Sequence, residues 1–522
     1  MPTATQRASI ASVNPATGEL LREFDCASEE EVRAAVERAH AVQPSWQKLP
    51  ISRRLQVLRR FQTLLQEKKA NVARLITREA GKPYVESLLT EVLVVLDATQ
   101  FLIANARDLL RDQSVGHANL VMKAKRGRVR REPYGVIGII SPWNYPFNIP
   151  ATEGLAALAA GNAVVVKPSE FTSLSALELQ ALLRTAGLPE GVFQVVVGAG
   201  ATGAALANSQ IDKLIFTGSV ASGKKVAQEA SARLLPVVLE LGGKDPMLVL
   251  DDADLEVASS AAVWGAFVNA GQTCLSVERC YVHRGLYDSF LAKVVEKTGK
   301  LRVGNGLDPE TEVGPMIHER QLQSVESQVN EARSQGARVL AGGMRLPPLG
   351  PNFYAPTVIA DVTHEMRLMR EETFGPVLPV MPFDSDEEAL RLANDSEFGL
   401  AASIWTRNRS RGAAIAARLQ AGTVMVNDVI SCYGISEAPH GGVKASGLGR
   451  THGRFGLEEM VWVKYMDSDL LPRMCKVWWY GYGSEFIGQM EGFVDFLFSR
   501  RWGARLAGGM RAVKAYFRSN WL

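Results

Sequence analysis

The chain has 522 residues, a formal net charge of +3, 47% hydrophobic residues and 22% charged residues. That length predicts several compact units, and the composition is that of an ordinary globular protein. The near-neutral balance argues against a nucleic-acid-binding protein, which would carry a strongly basic domain. The five cysteines, Cys26, Cys274, Cys280, Cys432 and Cys475, are scattered, which implies no disulfide framework and suits a reducing compartment. No His/Cys cluster has zinc-ligand spacing, so no metal is expected. The N-terminus leads into no apolar signal segment, and no uninterrupted apolar run reaches the roughly 20 residues that span a bilayer. A cytoplasmic protein is expected.

Residues 29–113 are predicted helical, opening at Glu29 with Ser28 in the N-cap position. From about residue 134 short β-branched runs appear at 136–140, 163–166, 195–197 and 213–216, with helical segments between them such as 173–186. Strands alternating with helices predict βαβ units and a parallel sheet. Continuous apolar strands suit a sheet buried on both faces. A second alternation follows residue 244, with strands at 246–250, 279–283 and 422–426. The fold class is therefore α/β with two α/β domains, and their junction is a natural cleft for a substrate.

The residues with chemistry flank that junction. Cys274 lies in Phe267-Val-Asn-Ala-Gly-Gln-Thr-Cys-Leu-Ser-Val-Glu-Arg279, and Glu240 lies in Leu239-Glu-Leu-Gly-Gly-Lys244. A thiolate attacks carbonyls, and a carboxylate with a raised pKa can activate water. Neighbouring glycines place both side chains on loops. A lone cysteine is more often buried and inert than reactive, and Asn144, in a Pro-bounded loop, would alone be a turn former. The run Phe216-Thr-Gly-Ser-Val-Ala-Ser-Gly-Lys-Lys-Val226 follows a strand and opens a helix, a place where backbone N–H groups bind phosphate. It almost spells a P-loop, but Lys225 stands where that loop needs Ser or Thr.

Six motifs in order carry a resemblance. They are Ser141-Pro-Trp-Asn-Tyr-Pro-Phe147, the Gly218–Ser219 turn, the Glu240 and Cys274 segments, Glu371-Glu-Thr-Phe-Gly-Pro376 and Gly441-Gly-Val-Lys-Ala-Ser-Gly447. Over residues 10–465 the chain closely resembles the NAD(P)-dependent aldehyde dehydrogenase superfamily, of the non-phosphorylating, hydrolytic kind. The resemblance implies a Rossmann-like NAD-binding domain (1–113 and 134–242), a catalytic domain (243–450) and a bridging, oligomerising β-segment (114–133 and 451–465) that makes a homodimer or homotetramer. It implies Cys274 as nucleophile, Glu240 as the base for water, and Asn144 as an oxyanion donor beside the Cys274 N–H. It places Ser219, Gly218 and Gly223 at the cofactor pyrophosphate and Lys167 and Glu170 at its ribose. Glu372, Phe374 and Trp143 fall near the nicotinamide. Glu170 favours NAD over NADP, with NADP the alternative. Relatives that oxidise succinate semialdehyde have an Arg where this chain has Val268, so an uncharged aldehyde, aliphatic or aromatic, with long-chain aldehydes within the range, is the expected substrate. Trp143, Phe147, Trp264 and Phe267 are candidates for an apolar tunnel or for ordinary core. His440 replaces an aromatic that many members carry before the two glycines. The rivals are a CoA-acylating relative, which retention of Glu240 opposes, and a catalytically silent structural or membrane-associated member, which the intact Asn144–Glu240–Cys274 set opposes.

Residues 466–522 lie outside the resemblance and read as a basic, aromatic-rich helical extension. From Arg473 onward there are eight basic and three acidic residues and twelve aromatics. Leu506, Met510, Val513, Phe517 and Trp521 share one helical face by spacing. Basic, aromatic and amphipathic character together suit a helix at the inner membrane surface. The alternatives are a cover over its own or a partner subunit, and disorder.

Overall fold

The computed structural model describes residues 7–516 except 474, 475 and 477. It divides into two compact units: residues up to Arg111 with Arg131–Trp462, and Asp112–Arg130 with the chain from Val463 onward.

The first unit holds two large sheets. One has six strands in the order Gly447–Leu448, Val237–Glu240, Lys213–Thr217, Val136–Ile140, Ala163–Lys167 and Phe193–Val195. All neighbours are parallel except the first pair. Sequence order therefore runs outward in both directions from the gap between Val136–Ile140 and Lys213–Thr217. That is a topological switch point, where the loops after the strands part and leave a crevice. The strand Ala163–Lys167 is buried along its whole length, as its apolar run requires. The other sheet has seven strands, in the order Arg338–Ala341, Thr357–Ala360, Val377–Phe383, Val277–His283, Asp245–Val249, Ala401–Trp405 and Thr423–Val426. Only its first pair is antiparallel.

Long helices precede the first sheet. Glu29–Lys48 opens with a capping box: Ser28 accepts from the Glu31 N–H while Glu31 accepts from the Ser28 N–H. Ile51–Ala80 ends at Gly81 in the left-handed conformation. The stretch Tyr84–Leu109 is long and apolar enough to cross a membrane by composition alone. Here Val95, Leu102 and Ala106 belong to the core beneath the six-stranded sheet. Glu86 and Glu91 on the same stretch are buried against loops of the unit.

Several boundaries differ from the sequence expectations. The third short run pairs at Phe193–Val195 rather than 195–197, because Val196 and Val197 already turn away to bond the Val166 carbonyl and to accept from Ala27. Residues 451–460 are not bridging strand. His452 leads into the helix Gly453–Glu458, and Leu457 and Met460 join the core. Val237–Glu240 is a strand, so Glu240 sits at a strand end and not in a loop. In the second unit Val461–Asp469, Lys125–Pro133 and Gln113–Val115 form a three-stranded sheet, and the extension forms two helices, Ser484–Phe498 and Trp502–Tyr516. Phe517 and Trp521 lie outside the described residues.

A buried ion pair ties the early helices to the sheet. Lys82 Nζ and Glu91 Oε1 are 2.7 Å apart, both fully buried. Lys82 also donates to the Asn144 carbonyl at 2.7 Å, and Glu91 Oε2 accepts from the Asn148 N–H at 2.7 Å and the Phe147 N–H at 3.2 Å. Removing one partner of such a pair leaves an uncompensated buried charge, which costs about 3–5 kcal/mol. Lys82→Met should therefore lower the urea midpoint strongly, and the double change Lys82→Met with Glu91→Leu should recover part of the loss. Equal midpoints for Lys82→Met and the native chain would show that the pair carries no such role.

Candidate active site

At the carboxyl ends of the six-stranded sheet lies a cavity of about 260 Å³. Its lining includes Trp143, Asn144, Thr217, Gly218, Ser219, Glu240, Cys274, Glu372 and Phe374. Residues separated by hundreds of positions converge because three strand ends deliver three loops to one place. Asn144 follows Val136–Ile140, Ser219 follows Lys213–Thr217, and Glu240 ends Val237–Glu240.

Cys274 arrives from the other sheet, in a turn in which the Ser276 N–H bonds the Thr273 carbonyl at 2.9 Å. The approach to that turn is strained. Asn269, Ala270 and Gly271 have φ of 52°, 53° and 71°, a left-handed conformation that non-glycine residues seldom adopt. The strain is held by bonds on every side. The Asn269 N–H donates to Glu86 at 2.9 Å, and its side-chain amide donates to the carbonyls of Asn144 and Gln272, both at 3.1 Å. The Gln272 side chain donates to the Asn269 carbonyl and accepts from the Ile317 N–H. Gly271 has no alternative here: a Cβ would lie 2.1 Å from the Gly375 carbonyl oxygen. At Gly243 a Cβ would lie 2.4 Å from the Cys274 carbonyl oxygen, so only glycine lets the strand-end segment after Glu240 run against the cysteine turn.

The Asn144 amide donates one N–H to the Gln272 carbonyl at 3.1 Å. An amide has two such donors, and among the described residues the second has no acceptor. The Cys274 backbone N–H likewise donates to no backbone carbonyl. Two donors beside one thiol can hold a developing negative charge on oxygen.

Burial governs the titration of the site. It pushes the Cys274 thiol well up, and the carboxylates of Asp245, Glu372 and Glu240 add to the rise. Glu240 is also pushed well above the usual carboxylate range, first by burial and then by Glu153, with Arg450 opposing. Among the described residues neither Glu240 carboxylate oxygen has a hydrogen-bond partner, so the group is free to take a proton from a substrate or water. Glu153 is raised to about 8 by burial. His440 Nε2 stands 3.7 Å from Glu240 Oε2, but burial and the nearby His452 and Arg450 push it down to about 3. It is therefore a neutral neighbour and not a counter-ion at neutral pH.

The far end of the cavity fits a dinucleotide. Ser219 caps the helix Val220–Ser231, accepting from the Ser222 N–H at 3.3 Å, so that helix presents its N-terminal donors beside Gly218. Gly223 lies on this helix where a Cβ would meet Leu241 at 2.4 Å, which sets the helix close to the sheet. Lys167 and Glu170 close the next strand end, with Nζ and Oε2 at 3.5 Å. Glu372 accepts from the Gly243 N–H at 3.0 Å and is raised to about 8 by burial and the neighbouring Glu278. Phe374 has φ of 51°, fixed by its N–H donating to Glu278 Oε1 at 2.9 Å, and its ring meets the edge of Trp143 with centroids 5.4 Å apart. Glu278 is in turn paired with fully buried Lys244 at 2.6 Å.

All the sequence-predicted site residues except Lys167, Glu170 and Gly223 line this one cavity; those three lie outside its lining. Of the tunnel candidates, Trp143 lines it, Phe147 and Phe267 are core, and Trp264 is 47% exposed. Sequence reasoning missed Glu153, Thr217, Lys82 and His318. Glu153 sits within an otherwise apolar helix, which is a signal in itself. His318, stacked on Phe171 and edge-on to Trp143, left none.

Residues 2–466 match the model of the Aldehyde dehydrogenase family. The chain is 40% identical over 495 residues to the 4,4'-diapolycopene aldehyde oxidase of Methylomonas sp, covering 94% of this chain and 91% of that relative. It is 40% identical over 469 residues to the betaine aldehyde dehydrogenase of Cereibacter sphaeroides (strain ATCC 17029 / ATH 2.4.9), covering 89% and 95%. Among solved structures, the NAD+ complex of an aldehyde dehydrogenase from Bacillus cereus superposes with a TM-score of 0.85 at 36% identity, covering 89% of this chain and 94% of that one. The chain belongs to the aldehyde dehydrogenase family, oxidising aldehydes to acids with a nicotinamide dinucleotide.

Proposed function

We propose that this enzyme oxidises an uncharged, apolar aldehyde to its carboxylic acid, with Cys274 as nucleophile and NAD as the preferred cofactor. The observation that carries it is the convergence of an unpartnered Glu240 carboxylate, the Cys274 thiol and the Asn144 amide on one buried cavity. Glu240 takes the thiol proton, and sulfur bonds to the aldehyde carbon while the C=O electron pair moves to oxygen. The Asn144 amide and the Cys274 N–H hold that oxyanion. NAD+, when bound, supplies the hydride acceptor that turns the adduct into a thioester. Glu240 releases the thiol proton to solvent and then takes a proton from water, the water oxygen bonds to the acyl carbon, and the C–S bond breaks to release the acid and a thiolate, which takes the proton back from Glu240.

The cofactor residues act in the same terms. Gly218 and Ser219 present helix N-terminal donors to phosphate. Lys167 and Glu170 meet ribose hydroxyls, and Glu372, Phe374 and Trp143 bound the nicotinamide end. The enzyme works as a homodimer or homotetramer, since the sheet of the second unit has edge strands that need covering.

Names of relatives do not choose the substrate, because matches of equal identity carry different ones. Local chemistry does. Val268, three per cent exposed, offers no cation for an acidic tail. The segment Tyr84–Leu93 is bonded to both reactive loops, through Glu86 to Asn269 and through the Thr90 carbonyl to Asn148. Its outer residues Val85, Leu89 and Leu93 are exposed and apolar at four-residue spacing. Ile435, also exposed, adjoins the helix Val94–Leu109 where Ser436 bonds Asp97 at 2.6 Å. A polyene aldehyde, by the name of the Methylomonas relative, belongs to the same apolar class.

Cys274→Ala should abolish NADH production while NAD binding survives. Glu240→Gln should give a burst near one equivalent of NADH in rapid quench and then slow turnover, because the thioester waits for water. Unchanged steady-state turnover in either variant would refute the assignment.

The acid limb of kcat/KM should lie above the ordinary carboxylate range, because Glu240 must be ionised to act and its pKa is raised. The Glu153 carboxylate contributes to that rise. Glu153→Gln removes it, so the Glu240 pKa falls and the limb should move to lower pH. A shift to higher pH in the measured profile would contradict this order of causes.

Wild type should have the higher kcat/KM with NAD+, since a carboxylate at Glu170 repels a 2′-phosphate. Glu170→Ser should narrow the gap. Across an aldehyde series, kcat/KM should rise with apolar chain length and be lowest for succinate semialdehyde and betaine aldehyde. Better efficiency with NADP+, or with either charged aldehyde, would overturn the respective preference.

A further inference from the structure

The two helices of the extension, Ser484–Phe498 and Trp502–Tyr516, pack on each other through glycine. A Cβ on Gly508 would lie 2.3 Å from the Gly492 carbonyl oxygen, and one on Gly492 would lie 2.7 Å from Arg511 Cβ. Such close backbone approach at small residues is how helices associate without placing large side chains between them. Phe496 packs at this contact against Gly509, while other large side chains face outward. Ile487, Val494 and Phe498 share one face of the first helix by spacing, and Trp502, Leu506, Met510 and Val513 share one face of the second. All are more than half exposed, with Phe498 at 75%, Trp502 at 76% and Met510 at 70%. Trp479, Tyr480 and Tyr482, just before the hairpin, are exposed as well. The second helix's row of four large exposed apolar side chains, Trp502, Leu506, Met510 and Val513, marks an interaction site.

Charge selects the partner. Arg500, Arg501, Arg505 and Arg511 are exposed in the connection and on the second helix, and Trp502–Tyr516 contains no acidic residue. The hairpin's acids, Glu485, Glu491 and Asp495, are confined to the first helix. A second copy docking its own second helix symmetrically would set these arginines against their copies, with no acid on that helix to answer them. An anionic lipid surface satisfies both features: acyl chains take the apolar face, and guanidinium groups bind headgroup phosphates. Fifteen residues of helix span about 22 Å, short of the roughly 30 Å hydrocarbon core, so the hairpin lies in the interface and does not cross it.

We propose that this hairpin is a monotopic anchor, laying the Trp502–Val513 face of its second helix on an anionic membrane surface. The inference stands apart from the catalytic reading, since lipid binding needs neither Cys274 nor cofactor.

The test is co-sedimentation of the full-length enzyme with vesicles of phosphatidylcholine alone and with vesicles rich in phosphatidylglycerol. Wild type should bind the anionic vesicles at least about tenfold more tightly, and less so in high salt. Replacing Trp502, Leu506 and Met510 together by Ser should abolish binding at every salt concentration. Arg500→Gln with Arg501→Gln should weaken binding to anionic vesicles only. Light scattering should give the same oligomeric state for all three proteins, and turnover of a short soluble aldehyde should be unchanged, which shows that the first unit is folded. No sedimentation of wild type with anionic vesicles would overturn the proposal. So would a serine variant that binds vesicles normally but loses its oligomeric state, which would make the hairpin a subunit contact.

Discussion

Lys82 is fully buried, and its ammonium lies 2.7 Å from the Glu91 carboxylate and 2.7 Å from the Asn144 carbonyl oxygen. The position of the Asn144 amide follows from this contact. Glu91 holds the backbone N–H groups of Phe147 and Asn148, so the loop carrying Asn144 is fixed at both ends by one ion pair. The Asn144 carbonyl also accepts from Asn269, the first of the three left-handed residues that lead to Cys274. The loop that presents the amide and the turn that presents the thiol are thereby held to the same carbonyl. A charge buried this deeply is stable only because its partners are already in place, and the strained turn persists only because its surroundings over-determine it. Pre-organisation of the two donors is a consequence of packing, before any substrate enters.

The same burial sets the electrostatics. No buried cation pairs with Cys274 or Glu240 among the described residues; Lys244 is committed to Glu278, and Lys82 to Glu91. Both reacting groups are instead pushed toward their neutral forms, and Glu153 and Glu372 stand nearby at about 8. The thiol and the carboxylate both resist ionisation in this environment, because burial raises both. His440, neutral despite lying 3.7 Å from Glu240, fits this arrangement, since a cation there would drain the base of its strength.

Much of this was legible in the sequence. Ser28 with Glu31 announced a helix start, and the apolar runs at 136–140 and 213–216 announced the two strands that flank the switch point. Cys274, Glu240 and Asn144 were found because each sits in a motif with glycine or proline beside it, and those residues mark where backbones must turn or approach closely. Val237–Glu240 was not read as a strand, because four residues ending in a carboxylate carry too little period to distinguish from a turn. Within 451–460, where the resemblance implies bridging strand, the chain instead forms the short helix Gly453–Glu458, and six residues carry too little period to announce it. Lys82 was invisible for another reason: a lysine reads as surface in a sequence, and only three-dimensional packing shows that it is enclosed.

Glycine and large apolar side chains exchange places between the two units. In the first, glycines such as Gly243 and Gly271 admit backbone close to the reactive turn while aromatic rings such as Phe147 and Phe267 fill the cores. In the hairpin, Gly492 and Gly508 occupy the contact between helices and Phe498, Trp502 and Met510 point away from it. Water enforces the first pattern, because exposing an aromatic forfeits the free energy of its burial. The second pattern carries no such cost when the outer face meets hydrocarbon, where helices gain nothing from hiding apolar side chains from their surroundings. The family match ends at residue 466, while the match to the Methylomonas oxidase covers 94% of the chain and so extends into this hairpin. On the proposed reading the extension answers to a second solvent, attached to a unit whose own packing pattern stops before it begins.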